Sequence, residues 1–151
     1  MQNTFRQGRL PKTKTTELYE IAQESGTEII CCDLPLTQSV SVMTGTGDCY
    51  IGIDPFQIET EAEERVHLAH ELGHCETGSF YSPYSPLNVR GRHECRADRW
   101  AAATLVPPME LKKAISLGIV EPWELAEYFD VTEEFIIKTM QIYCEKNILH
   151  L

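Results

Sequence analysis

The chain has 151 residues, enough for one domain with a sizeable core, since a chain of this size buries roughly 68–70% of its unfolded surface. Hydrophobic residues at 42% and charged residues at 24% describe an ordinary soluble globular protein rather than a disordered or collagen-like one. A net charge of −10 argues against binding nucleic acid through the bulk field, and no run of roughly 18 apolar residues offers a membrane span.

Residues 1–15 read as a flexible basic tail, with Arg6, Arg9, Lys12 and Lys14 and no acid. Thr16 to Ser25 places Leu18, Ile21 and Ala22 at helical spacing, with Gly26 as the stop. Three β-like runs follow, Glu28–Cys32, Val40–Thr44 and Cys49–Ile53, and the Gly45-Thr46-Gly47-Asp48 turn predicts a hairpin between the last two. Thr60 and Glu63 have capping-box spacing and open a helix to about Cys75, with Ala62, Val66, Ala69 and Gly73 on one stripe. Residues 76–92 are rich in Ser, Pro, Tyr and Gly and read as a long loop, a length that points to function. A second helix runs from about Glu94 to Leu105 and stops before Pro107-Pro108.

The remaining residues read as three short helices. Pro108 starts the first, which Gly118 ends; Pro122 starts the second; Thr132 caps the third, which reaches about Lys146. This order predicts an α+β fold: a short sheet of about three strands packed on two central helices. The expected division is the tail at 1–15, a core at 16–107, and a C-terminal helical extension at 108–151 packed on that core.

The cysteines, Cys31, Cys32, Cys49, Cys75, Cys95 and Cys144, contain no C-x-x-C pair. The N-terminus lacks the apolar core of a secretory signal. Six reduced thiols in a cytoplasmic protein is therefore the expectation, with Cys75 and Cys95 as packing residues.

His70-Glu71-Leu72-Gly73-His74 is an H-E-x-x-H motif inside the expected helix 61–75. Residues four apart lie one turn apart on one face, so both imidazoles can reach one metal ion. Glu71, one step round the helix, can reach a metal-bound water without ligating the metal. Gly73 would let another segment pass close. A pair of surface histidines is the bland alternative. Chance produces the pattern about 0.02 times in a chain of this composition, which favours the metal reading.

A catalytic zinc takes three protein ligands and keeps one position open. Thr77 and Phe80 occupy the positions where an H-x-x-G-x-x-H continuation would need Gly and His, so that subclass is excluded. Glu94 is the favoured third ligand, with His93 and Glu76 as rivals. Asp98, one turn after Glu94, can hydrogen-bond a ligating imidazole and fix its tautomer, and Ala97 is small where two helices must meet.

His70–His74 followed by Glu94-x-x-Ala97-Asp98-x-Trp100-Ala101 and Leu105-Val106-Pro107 resembles the ImmA/IrrE family of metallopeptidases, as does the strand Tyr50-Ile51-Gly52-Ile53 before the motif helix. The similarity spans roughly Leu18 to Pro108. The Glu-to-Asp spacing also resembles the thermolysin-like clan, where the Glu is a ligand and the Asp supports one. The resemblance implies a small zincin-like domain, often encoded by phages and mobile elements. It also implies a zinc-dependent endopeptidase that cleaves a transcriptional repressor. Some relatives carry a fused helix-turn-helix; here a DNA-bound substrate would be a separate protein.

On this reading, Zn²⁺ held by His70, His74 and Glu94 lowers the pKa of its water to about 7, and Glu71 takes the proton and delivers it to the leaving amine. Tyr81, Tyr84 and His93 are candidates for the group that steadies the oxyanion or substrate. His67 shares the helix face and reads as a neighbour of the site rather than a fourth ligand. Arg90, Arg92, Arg96 and Arg99 read as offsetting Glu94, Asp98 and the acidic bulk, with binding of an acidic substrate segment as the alternative.

Residues 124–137 resemble a helix-turn-helix, yet its second helix would present Glu133 and Glu134 to phosphates. A helical pair packed on the core or docking a protein is favoured there. Direct nucleic-acid or membrane binding is not expected. Two further readings stay open: a catalytically silent zinc protein that sequesters a regulator, and, less favoured, a DNA-binding regulator. An intact Glu71 favours the enzyme.

Overall fold

In the computed structural model, which describes residues 14–149, helix α1 (Lys14–Ser25) comes first. The basic tail read over 1–15 lies outside the described residues except for Lys14 and Thr15, which belong to this helix. Lys14 Nζ donates to Leu105 O at 3.0 Å and Phe129 O at 2.5 Å, so one cation satisfies the carbonyl ends of two later helices.

Strands β1 (Glu28–Cys31), β2 (Ser39–Met43) and β3 (Cys49–Ile53) form one sheet in the order β1-β3-β2. The expected β2–β3 hairpin is antiparallel, and β1 pairs parallel to β3. In the central strand Cys49, Ile51 and Ile53 are buried while Tyr50 faces outward, the two-residue alternation of a sheet covered on one side. The chain crosses the sheet end between β1 and β2, where Asp54 pins it. Asp54 Oδ2 accepts from the Leu34 N–H (2.9 Å) and Gln57 Nε2 (2.8 Å), and Oδ1 accepts from the Phe56 N–H (3.0 Å). These donors, Leu34 first, hold the Asp54 carboxyl below the usual carboxylate range.

Helix α2 (Glu61–Thr77) starts where its cap predicts: Thr60 Oγ1 accepts from the Glu63 N–H at 3.1 Å. The Glu63 carboxylate reaches back to the Glu59 N–H at 2.8 Å rather than to Thr60, so capping is spread over two residues. Gly78 ends the helix at φ +62°, with its own N–H and that of Ser79 closing on the last carbonyls.

Helix α3 (Leu87–Leu105) begins well before Glu94, so the loop expected over 76–92 shrinks to 78–86. The first turns of α3 hid as a loop because they are polar and mostly solvent-facing. Its core stripe of Ala97, Ala101, Ala102 and Leu105 starts only later.

Helices α2 and α3 meet at Gly73. A Cβ on Gly73 would lie 2.6 Å from Ala97 O, closer than packing allows, so the bare glycine permits the contact. Leu68, Leu72 and Leu105 pack there against Ile51 and Ile53 in one cluster, each fully buried leucine contributing about 1.5–3 kcal/mol.

Helices α4 (Pro108–Ser116), α5 (Pro122–Phe129) and α6 (Glu133–Glu145) complete the α+β fold. Leu125, Ala126, Phe129, Val131, Phe135 and Ile136 are buried in the same cluster, so the segment resembling a helix-turn-helix is a packed helical pair. The fully buried Arg65 bonds Asp130 O and lies 3.2 Å from Asp130 Oδ2, fixing the turn between these helices.

One cysteine expectation is corrected. Cys49 and Cys75 form a disulfide, because the first residue of β3 meets the last turns of α2 with the Cα atoms 6.0 Å apart. Closing this loop restricts the unfolded chain by about 3.5 kcal/mol in the chain-entropy description. Cys31, Cys32, Cys95 and Cys144 are free thiols. Among the described residues, no helix is long and apolar enough to cross a membrane.

Candidate metal centre

The i,i+4 spacing on α2 brings the His70 and His74 rings together edge to face, with centroids 4.8 Å apart and Nε2 atoms 3.2 Å apart. The close approach at Gly73 brings α3 across, and Glu94 enters the same point. Its Oε2 lies 3.0 Å from His70 Nε2 and its Oε1 3.4 Å from His74 Nε2. Ligand atoms of His70, His74 and Glu94 lie within 4.8 Å of one another. A tetrahedral zinc with bonds of 2.0–2.2 Å needs ligand edges of about 3.4 Å, so the spacing of these donors fits one ion.

Both imidazoles are oriented from behind. His70 Nδ1–H donates to Asp98 Oδ1 at 2.9 Å, and His74 Nδ1–H donates to Ser79 O at 2.6 Å. Protons on both Nδ1 atoms leave the Nε2 lone pairs pointing inward, the tautomer a metal requires. Asp98 is held in turn by Lys138 of α6, Nζ to Oδ2 at 2.7 Å. Among the described residues, the direct partners of Glu94 and Asp98 are thus His70, His74, Tyr81 and Lys138.

Glu71 is buried beside these donors, lines the same groove and is held from the sheet side. Ser39 Oγ donates to its Oε1 at 2.8 Å and Ser41 Oγ to its Oε2 at 2.6 Å. The serines are two residues apart on β2 and share one face of the strand. Ser39 Oγ also lies 3.1 Å from His67 Nδ1, so His67 joins the Glu71 side and stands outside the His70–His74–Glu94 group.

The electrostatics follow from this crowding. Burial opposes charge on His70, but Asp98 and Glu94 outweigh it and lift His70 to about 9 in the metal-free chain. His74 is raised as well: burial opposes its charge, and the hydrogen bond to Glu94 prevails. The hydrogen bonds from His70 and then His74 hold Glu94 far below the usual carboxylate range. Asp98 is also lowered, burial being outweighed by His70 and Lys138. A strongly paired cation-and-carboxylate cluster thus occupies the point where a metal would replace the proton.

The other sequence candidates separate. Tyr81 donates its hydroxyl to Glu94 Oε1 at 2.6 Å, a bond that with partial burial raises its pKa. His93, on α3, lies tilted against the Tyr81 ring with centroids 6.1 Å apart, and its buried Nδ1 has no hydrogen-bond partner among the described residues. Tyr84 is 95% exposed and Glu76 is exposed at the end of α2, both away from the ligand group. Sequence reading missed Ser39, Ser41, Lys138 and the Ser79 carbonyl. Ser41 lay inside the expected strand 40–44, but Ser39 lay just before it, because the observed strand starts one residue earlier.

Two adjoining grooves of about 440 and 560 Å³ open on either side of His70 and Glu71. The first runs between β2 and the 79–83 loop past Tyr81 and Glu94; the second runs past His67, Asp98 and Lys138.

Neither a curated protein nor a solved structure matches the chain. A family model described as IrrE N-terminal-like domain (Peptidase_M78) matches residues 22–141, which include the sheet, both ligand-bearing helices and most of α6. The chain belongs to this IrrE N-terminal-like domain family of metallopeptidases.

Proposed function

We propose that the protein is a zinc-dependent endopeptidase whose substrate is another protein, a DNA-binding transcriptional repressor of the phage or mobile-element type. The observation that carries the reading is the convergence of two back-bonded imidazoles and one carboxylate at tetrahedral spacing, beside a buried glutamate that none of them pairs with. His70, His74 and Glu94 would hold the ion, and Asp98 orients His70. When bound, zinc supplies a Lewis acid that makes water acidic and polarises a carbonyl.

The chain supplies the rest. Glu71 takes a proton from the attacking water and delivers it to the leaving amine, while Ser39 and Ser41 keep its carboxylate from rotating. Tyr81 sits at the rim of the same groove and can turn its hydroxyl from Glu94 to the carbonyl oxygen that gains charge. Its neighbour His93 backs the ring; Tyr84 takes no part. Strand β2 is an edge of the sheet and borders the groove, so an extended substrate can pair with its open side. A net charge of −10 repels nucleic acid and suits a basic protein, which a DNA-binding repressor is.

The test uses a purified DNA-binding repressor, a repressor encoded beside the chain's own gene being the first to try. Wild-type protein is expected to bind one zinc per chain and cleave it, and Glu71→Gln to keep the zinc and lose cleavage. Cleavage by Glu71→Gln at the wild-type rate contradicts the assigned base. Zinc-loaded wild type that binds the repressor and leaves it intact favours sequestration instead.

A further inference from the structure

We infer that the outer face of the sheet, opposite α2, is a docking surface for a basic amphipathic helix of a partner protein. Strand β2 is turned against the usual sense: its serines point inward to Glu71, and its valines point out. The register places Val42 beside Tyr50, and Val40 and Ile30 on either side of Gly52, so all four side chains share one face. Their exposures are 53% for Val42, 36% for Tyr50, 37% for Val40 and 43% for Ile30. Around Gly52 the patch is continuous: Cys32 Sγ, Val40 Cγ1 and Leu34 Cδ1 lie 3.2, 3.3 and 3.7 Å from the position of an added Cβ. Polar residues turned in and apolar residues turned out make a surface that gains by being covered.

Charge selects the occupant. Residues 15–64, which include all three strands, contain eleven acids and no Lys, Arg or His. Glu28 is exposed beside Tyr50 in the register, Asp48 is exposed at the same end of the sheet, and Asp33 is exposed just past the other end of β1. A second copy laid on this face would oppose acid to acid with no base from the sheet to relieve it, so the complementary partner is basic. Dimensions select its shape. Three strands spaced about 4.8 Å give a face about 10 Å across, the width of one helix. Strands of four and five residues run about 16 Å, the length of about eleven helical residues. The surface lies across the sheet from the metal site and does not depend on catalysis.

The test measures fluorescence anisotropy of synthetic amphipathic helices of leucine and lysine against the full-length protein. The leucine–lysine helix is expected to bind. Its leucine–glutamate counterpart, and a serine–lysine helix of equal charge, are expected to bind at least about tenfold more weakly. Val42→Ser with Tyr50→Ser, both at exposed positions, and separately Glu28→Lys with Asp33→Lys, are each expected to weaken binding about tenfold while the melting temperature stays unchanged. Equal binding of the serine–lysine helix, or wild-type binding by both double variants, overturns the proposal. So does a wild-type dimer in sedimentation that Val42→Ser dissociates, which would make a second copy the occupant. Tighter peptide binding after Arg6→Glu, Arg9→Glu and Lys12→Glu would make the chain's own N-terminal segment the occupant.

Discussion

The two sides of the candidate centre are built differently. On one side α2 and α3 touch backbone to backbone at Gly73 and Ala97, and the three ligand side chains project from these two helices. On the other side a short edge strand, β2, holds Glu71 with two serine hydroxyls. The first side sets where a metal can sit; the second sets where the base points. A site divided this way should lose metal and lose base positioning through different substitutions.

The largest effect is expected at the helix contact. Gly73→Ala would normally favour a helix by up to about 1 kcal/mol, but here its Cβ meets the Ala97 backbone. A net loss of about 3 kcal/mol in chemical denaturation is expected, together with lost zinc binding. A stabilised variant would show that the helices do not touch there.

Asp98→Ala comes next. Without the acceptor behind His70, zinc affinity in chelator competition is expected to fall about 10–100-fold, and the metal-free melting temperature to fall as well, because His70 and Lys138 both lose their partner. Unchanged affinity would detach Asp98 from the site.

The effect of pH has a definite sign. In the metal-free chain His70 is raised from 6.5 to about 9, so near neutral pH the ion must displace its proton. Zinc affinity is expected to rise about tenfold per pH unit toward 9, and calorimetry in buffers of different ionisation enthalpy to show proton release. Because the folded value is the higher one, the stability that charged His70 lends the metal-free chain is fully present below pH 6.5 and fades as pH rises through 9.

The smallest effect belongs to the strand. Ser41→Ala removes one of two donors to Glu71 and is expected to cost about 1 kcal/mol of stability while leaving zinc affinity within about twofold of wild type. A large loss of zinc would erase the distinction between the two sides.

The same division explains what could be read from the chain. His70, Glu71 and His74 are related by helix geometry alone, and Glu94 and Asp98 by one further turn, so local spacing suffices to group them. Gly73 and Ala97 announced a close contact by their size. The choice among Glu94, His93 and Glu76 depends on how α3 is rotated against α2, which spacing leaves open.

Ser39 and Ser41 were hidden for another reason. A strand with alternating Ser and Val reads as valines inward, and here the buried glutamate reverses it. Lys138 reaches Asp98 from forty residues away, and Cys49 reaches Cys75 through the stacking of β3 on α2; both are tertiary facts with no local pattern. The start of α3 was obscured because a polar, solvent-facing turn has the composition of a loop.

The central claim is that His70, His74 and Glu94 form one metal centre. X-ray absorption at the zinc edge, on protein loaded with one equivalent, tests it most directly. The expected first shell holds two imidazole nitrogens and oxygen donors at about 2.0–2.2 Å and no sulfur, with the shell lost in Glu94→Ala and retained in Glu71→Gln. A sulfur scatterer at about 2.3 Å, or a wild-type shell in Glu94→Ala, would contradict it.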